Sequence, residues 1–164
     1  MNKPKQPLTP SQALTRASAL CAGCEHAPSE IREKLLKWGL SASEADKIIN
    51  DLKEQGFIDE ARYAHAFVND RFAFNGWGRI KIAYQLRQKG IPQPIIDEAM
   101  TAIDDERYRE RLLELLKGKW LNVKGREPRA AWAAMMRFAL SRGFETALAS
   151  ECVKQVTRLD VEEY

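Results

Sequence analysis

Residues 59–103 read DEARYAHAFVNDRFAFNGWGRIKIAYQLRQKGIPQPIIDEAMTAI, and they spell three short helices with their own punctuation. Asp59 is placed to cap a first helix along which Tyr63, Phe67 and Phe74 recur at roughly helical spacing. Asn75-Gly76-Trp77-Gly78 breaks that helix, since two glycines so close together favour non-helical backbone. A second helix from about Arg79 turns Ile82, Ala83 and Leu86 inward and ends at Gly90, a natural left-handed C′ residue. Pro92 opens a third, with Ile95, Ile96, Ala99, Met100 and Ile103 as its apolar face.

Upstream the plan repeats. Thr9-Pro10-Ser11-Gln12 is a helix start with Thr as N-cap, Pro at N1 and Gln in capping-box position. Ala13, Leu14, Ala17 and Leu20 form its small-residue face. After the loop CAGCEHAP, Ser29 starts a second helix that carries Ile31 and Leu35 and ends at Gly39. Ser41-Ala42-Ser43-Glu44 is a capping box for a third, whose face is Ala45, Ile48, Ile49 and Leu52. Downstream, Glu106 to Leu116 faces inward with Tyr108, Leu112, Leu115 and Leu116. Trp132, Met136, Ala139 and Leu140 mark the next helix, and Leu148, Cys152, Val153 and Val156 the last.

Aligning Gly39, Gly90 and Gly143 makes the repeat countable. Offsets of one, six, nine, ten and thirteen residues give Leu40/Ile91/Phe144, Ala45/Ile96/Ala149, Ile48/Ala99/Cys152, Ile49/Met100/Val153 and Leu52/Ile103/Val156. All fifteen are apolar, where a 45% hydrophobic chain would give about seven by chance. The first-helix caps Thr9, Asp59 and Asp104 precede these glycines by 30, 31 and 39 residues. The third copy therefore carries an insertion, most simply between Lys117 and Pro128. No segment shows sustained period-two alternation. The sequence predicts an all-α fold of three tandem three-helix units in an elongated array. The expected division is a disordered lead-in (1–8), repeats over 9–58, 59–103 and 104–159, and an acidic tail (160–164).

Composition narrows the function. No apolar run approaches the ~18 residues of a membrane span, and MNKPKQPLTP lacks the apolar core of a secretory signal. Three cysteines are an odd count that argues against a disulfide framework, so a reducing cytoplasm is the expected compartment. Cys21-Ala22-Gly23-Cys24-Glu25-His26 has metal-like spacing, but no second pair completes a tetrahedral site, and no metal or cofactor is expected. Gly76-Trp77-Gly78 lacks the remaining marks of a phosphate-binding loop. No nucleophile motif is present, and Glu30, Glu33 and Glu44 read as first-turn helix acids, so the chain is not expected to be an enzyme.

The net charge of +3 says less than its distribution. From Arg71 to Lys89 the charged residues are Arg71, Arg79, Lys81, Arg87 and Lys89, with no acid among them. From Lys117 to Arg142 stand Lys117, Lys119, Lys124, Arg126, Arg129, Arg137 and Arg142 against Glu127 alone. Segregation of this kind suits an anionic partner, and Trp77 and Trp120 add surfaces on which bases could stack. Arg71, Trp77, Arg79, Lys81, Arg87 and Lys89 are the candidate binding residues, with the later window as a secondary basic patch. The plainer alternatives are a solvated helix face, a Trp77 that wedges two helices, and an Arg79 that caps carbonyls or pairs with an acid.

Five blocks in order resemble the RecX family of bacterial regulators of the RecA recombinase. They are Ser29–Leu35, Gly56-Phe57-Ile58-Asp59-Glu60-Ala61-Arg62-Tyr63-Ala64, Gly76-Trp77-Gly78-Arg79-Ile80, Leu86-Arg87-Gln88-Lys89-Gly90-Ile91 and Arg137–Phe144, within a match over about 29–156. The chain departs from the family at Cys21–His26 and at Gly118–Pro128. The resemblance implies a curved, modular array and a monomer that lies in the groove of the RecA filament on single-stranded DNA. There it would limit filament growth, strand exchange and ATP hydrolysis, with single-stranded or duplex DNA as a further contact. The alternative is a stand-alone helix-turn-helix-like DNA-binding regulator, for which Tyr84–Lys89 offers a partial recognition helix but no dimerisation helix is evident.

Overall fold

The computed structural model describes residues 6–162, with side chains described as far as residue 158. The first five residues of the expected lead-in, and the side chains of the expected acidic tail, lie outside the described residues. Those residues form nine helices and no strand: α1 (Pro10–Gly23), α2 (Pro28–Lys37), α3 (Ala42–Glu54), α4 (Glu60–Ala73), α5 (Arg79–Gln88), α6 (Gln93–Met100), α7 (Asp105–Val123), α8 (Pro128–Ser141) and α9 (Thr146–Glu162).

The punctuation read from the sequence is physically present in each repeat. The Thr9 hydroxyl and the Asp59 and Asp104 carboxylates accept from the amides three residues on, at 3.2, 3.0 and 3.0 Å. Each cap satisfies an amide that would otherwise lack a partner, typically worth about 1 kcal/mol. Thr9/Gln12 and Ser41/Glu44 close full capping boxes. At the other end Gly39, Gly90 and Gly143 adopt φ of 95°, 77° and 90°. The amide after each glycine donates to the carbonyl five residues back: Leu40 to Leu35, Ile91 to Leu86 and Phe144 to Ala139. That is the same helix-ending motif three times over. Of the fifteen aligned apolar positions, fourteen are buried, and Met100 is half-buried.

Contacts divide the chain into two compact units, residues 1–66 with 86–96 and residues 67–85 with 97–164. In the first, α1 and α2 pack with α3 around Ala13, Ala17, Ile31, Leu35, Leu40, Ala45, Ile48, Ile49, Leu52 and Ile58. Leu8 leans on this core and donates its amide to the Trp38 carbonyl at 3.0 Å. In the second, α7 packs on α8 and α9, and α8 on α9. Tyr108 is the ring at the centre, 6.0 Å from Phe72 and 5.1 Å from Phe144 between centroids.

Two expectations are corrected. Phe74, placed on the α4 face by its spacing, is 83% exposed; Tyr63, Ala64, Val68 and Phe72 are the buried residues of that helix. In α8 the buried set is Ala131, Ala134, Met135 and Ala139, so the face is turned by about one residue from the expected Trp132, Met136 and Leu140. The third copy is longer in its first two helices. α7 has 19 residues where α1 and α4 have 14, and α8 has 14 where α2 and α5 have 10. The extra residues continue the two helices as a longer hairpin, because the segment holds Trp120, Leu121 and Val123 in helical register and no proline before Pro128.

Candidate functional site

Trp77 is the organising side chain of the candidate surface. The Asn75–Gly78 turn ends α4, and the Trp77 amide donates to the Arg71 carbonyl at 3.0 Å, which folds the turn back on its own helix. The indole is half-buried, and Phe67 meets it edge-on at 6.3 Å. Two cations flank it: the Arg71 guanidinium lies 5.1 Å and the Lys81 ammonium 4.5 Å from its ring centre. Arg71 also lies 4.9 Å from the Phe67 ring. Each contact is worth on the order of 0.5–1 kcal/mol at a partly exposed site. Their combined effect is to hold two positive charges side by side at an aromatic plate, and among the described residues no carboxylate pairs with either.

The turn is fixed from the other side by the end of α8. Gly78 donates to the Arg142 carbonyl at 2.7 Å, and Ile80 to the Gly143 carbonyl at 3.0 Å. The Arg142 guanidinium donates to the Asn75 carbonyl at 2.8 Å while lying 4.9 Å over Phe138. Arg142, 67 residues from Asn75 in sequence, thus supplies a third cation to the Trp77 turn. The Lys119 ammonium lies near the same Phe138 ring, at 5.8 Å.

Arg79 is differently engaged. Its Nη2 donates to the Ile103 carbonyl at 3.2 Å and to Asp105 at 2.8 Å, and its guanidinium stacks 4.1 Å from the Tyr108 ring. Its amide donates to the Tyr108 hydroxyl at 2.9 Å, and that hydroxyl donates to Glu145 at 2.7 Å. Burial, followed by the hydrogen bond from the Arg79 amide in opposition and the Glu145 carboxylate in support, leaves the Tyr108 phenol far above its usual range. Arg79 thus both caps a carbonyl and pairs with an acid, the two plainer roles its position allowed.

Arg87 and Lys89 belong to the first unit. Arg87 is exposed and donates to Gln93 at 3.4 Å; the Lys89 carbonyl accepts from the Ser29 hydroxyl at 2.7 Å. In the secondary patch Lys117, Lys124, Arg126, Arg129 and Arg137 are exposed, whereas Lys119 and Arg142 are half-buried. Two arginines escaped the reading of acid-free windows because acids surround them in sequence. Arg107 lies 5.5 Å over Phe72, and Arg111 donates to the Ala73 carbonyl at 3.1 Å, together lining a cavity of about 390 Å³ with Glu110 and Glu114. Their i, i+4 spacing on one helix face was the available signal. Among the described residues no group of three His, Cys, Asp or Glu side chains could hold a metal, and no helix is long and apolar enough to cross a membrane.

Capped three-helix units whose second helices end in left-handed glycines, with cations gathered on an aromatic turn, define an all-α helical-repeat protein. A family model described as "RecX, second three-helix domain" matches residues 59–100. The regulatory protein RecX of Leptothrix cholodnii is 33% identical over 146 residues, covering 88% of this chain and 86% of that one. The regulatory protein RecX of Chlorobium phaeobacteroides is 30% identical over 90% of this chain and 95% of its own. The chain belongs to the RecX family of regulatory proteins. It spans 63% of the length of the Clostridium beijerinckii relative, to which it is 30% identical. The crystal structure of RecX from Lactobacillus salivarius superposes with a TM-score of 0.80 over 90% of this chain and 96% of that chain, at 19% identity. At that identity the likeness carries the fold.

Proposed function

We propose that this chain binds the RecA filament on single-stranded DNA and inhibits its growth, its strand exchange and its ATP hydrolysis. The observation that carries the reading is Trp77 between Arg71 and Lys81, at 5.1 and 4.5 Å, within the repeat that matches the family model. Cations held at a fixed plate lose little rotamer entropy on meeting an anionic surface, whether acidic protein or DNA phosphate. Arg142 extends the cluster, while Arg79 positions the turn rather than meeting the partner. Arg87 and Lys89, and the exposed bases from Lys117 to Arg137, supply separate weaker contacts. Several such contacts in one chain gain by linkage what each lacks alone.

The test is RecA's DNA-dependent ATP hydrolysis with the protein titrated in below one copy per RecA. Progressive loss of hydrolysis is expected, and a folded Arg71→Glu/Lys81→Glu double variant should lose most of the effect. No inhibition by the wild-type protein on RecA from the same organism overturns the reading. Full inhibition by the double variant moves the contact away from Trp77.

A further inference from the structure

The connection between α1 and α2 carries thiol chemistry that filament binding does not use. Cys24 caps α1 and is exposed, and its Sγ lies 3.3 Å from His26 Nε2, within hydrogen-bond reach for sulfur. The other ring nitrogen, Nδ1, is buried without a hydrogen-bond partner and sits 3.7 Å from Glu30 Oε2. Glu30 is held in turn, since its Oε1 accepts from the Ala27 amide at 3.2 Å. Thiol, imidazole and carboxylate therefore stand in the order in which a base takes a thiol proton and an acid steadies the resulting imidazolium. Glu25 pairs with Arg62, which also donates to the Gly56 carbonyl, so the loop is anchored on both sides of the histidine.

The other two thiols differ. Cys152 is fully buried in the second unit, and burial pushes its thiol up, the mark of an inert core cysteine. Cys21 is half-buried one helical turn before Cys24; burial first, then the Glu25 and Cys24 charges, push its thiol up. Residues three apart on a helix have Cβ atoms about 5–6 Å apart, against about 3.8 Å in a disulfide. Cys24 has already left the helix, with φ −163° and ψ 164°, so rotation at the cap can close that gap.

We propose that Cys24 is a peroxide-reactive thiol and that Cys21 resolves its oxidised form into an intramolecular disulfide. His26 accepts the Cys24 proton, and the sulfur attacks one peroxide oxygen. The O–O bond breaks, a sulfenic acid forms on Cys24, and the departing hydroxide takes the proton from the imidazolium and leaves as water. The Cys21 sulfur then displaces the sulfenic hydroxyl, which leaves with the Cys21 proton as a second water. Two thiols and one peroxide become one disulfide and two waters, the sulfurs giving the two electrons that the peroxide gains.

The test uses the full chain in reduced form. Alkylation with iodoacetamide at neutral pH, read peptide by peptide, should label Cys24 first and leave Cys152 last. His26→Asn should slow Cys24 labelling by about tenfold with thermal unfolding unchanged. Stoichiometric hydrogen peroxide should remove two hydrogens from the peptide spanning residues 17–32, which holds both thiols. In Cys21→Ser the same treatment should leave a sulfenic acid on Cys24 that dimedone traps. Unchanged labelling in His26→Asn overturns the thiol–imidazole pair. Loss of the Cys24 thiol without either the disulfide or, in Cys21→Ser, the dimedone adduct overturns the resolving step.

Discussion

Gly143 lies so close to Lys81 that a Cβ placed on it would overlap the Lys81 backbone. Gly78 faces the same turn, its missing Cβ replaced by the Gly143 carbonyl. The two glycines let the Asn75–Gly78 turn and the end of α8 touch backbone to backbone, which is why Lys81 and Arg142 reach one surface.

Gly143→Ala and Gly90→Ala should therefore differ, although both glycines have positive φ, 90° and 77°. At Gly90 nothing lies within 4 Å of an added Cβ, so the cost is that of the left-handed backbone, about 1–2 kcal/mol. At Gly143 the same term is joined by displacement of the Lys81 backbone, and the loss should be clearly larger. Urea unfolding of the two variants followed by circular dichroism makes the comparison; equal costs would show that the turn yields freely.

Tyr108→Phe removes a hydroxyl that accepts from the Arg79 amide and donates to Glu145, at 2.9 and 2.7 Å. Stranding a partly buried donor and acceptor should cost about 1–3 kcal/mol near neutral pH. The pH dependence has a definite sign. The folded state holds the phenol proton more tightly than the unfolded chain, whose phenol titrates near the ordinary 10.0. The stabilisation is complete below that value and is lost as pH rises above it. The gap between wild type and Tyr108→Phe should narrow above pH 10 in parallel unfolding titrations.

Much of the fold was legible because its marks are local. Thr9, Asp59 and Asp104 announce helix starts, three glycines announce stops, and fourteen of fifteen aligned apolar residues are buried. What sequence periodicity missed was the rotation of individual helices. Phe74 looked like a core residue by spacing, yet it falls past the end of α4, where the chain turns away toward Trp77. Trp132 and Leu140 are apolar on a helix so rich in alanine that several faces fit equally well. The candidate site was half legible. Arg71, Trp77 and Lys81 fall within one short stretch of sequence, but Arg142 joins them through tertiary contact that no such stretch contains.

The rotated α8 face gives a direct test between two neighbouring methionines. Met135 is fully buried and Met136 half-buried. Met135→Ala should cost about 2–5 kcal/mol by transfer and cavity terms. Met136→Ala should cost less than half of that, since part of its side chain already meets water. Denaturation midpoints of the two variants decide the matter, and a larger loss at Met136 would restore the face expected from sequence.

Arg79 and Lys81 are separated by one residue yet should fail in different ways. Arg79→Gln breaks contacts with Ile103, Asp105 and Tyr108, all within the fold, so it should lower unfolding stability by about 1–3 kcal/mol. Where the variant remains folded, the RecA inhibition proposed for this chain should be near normal. Lys81→Gln loses one cation–ring contact with Trp77 and little else of the fold, so stability should change by less than about 1 kcal/mol. Its inhibition of RecA should weaken, and the salt dependence of binding should become shallower because one cation fewer displaces counterions. Titrations at two salt concentrations, paired with melting curves, separate the two outcomes. A Lys81→Gln protein with wild-type potency and wild-type salt slope would remove Lys81 from the contact, and with it the reason to place the partner at Trp77.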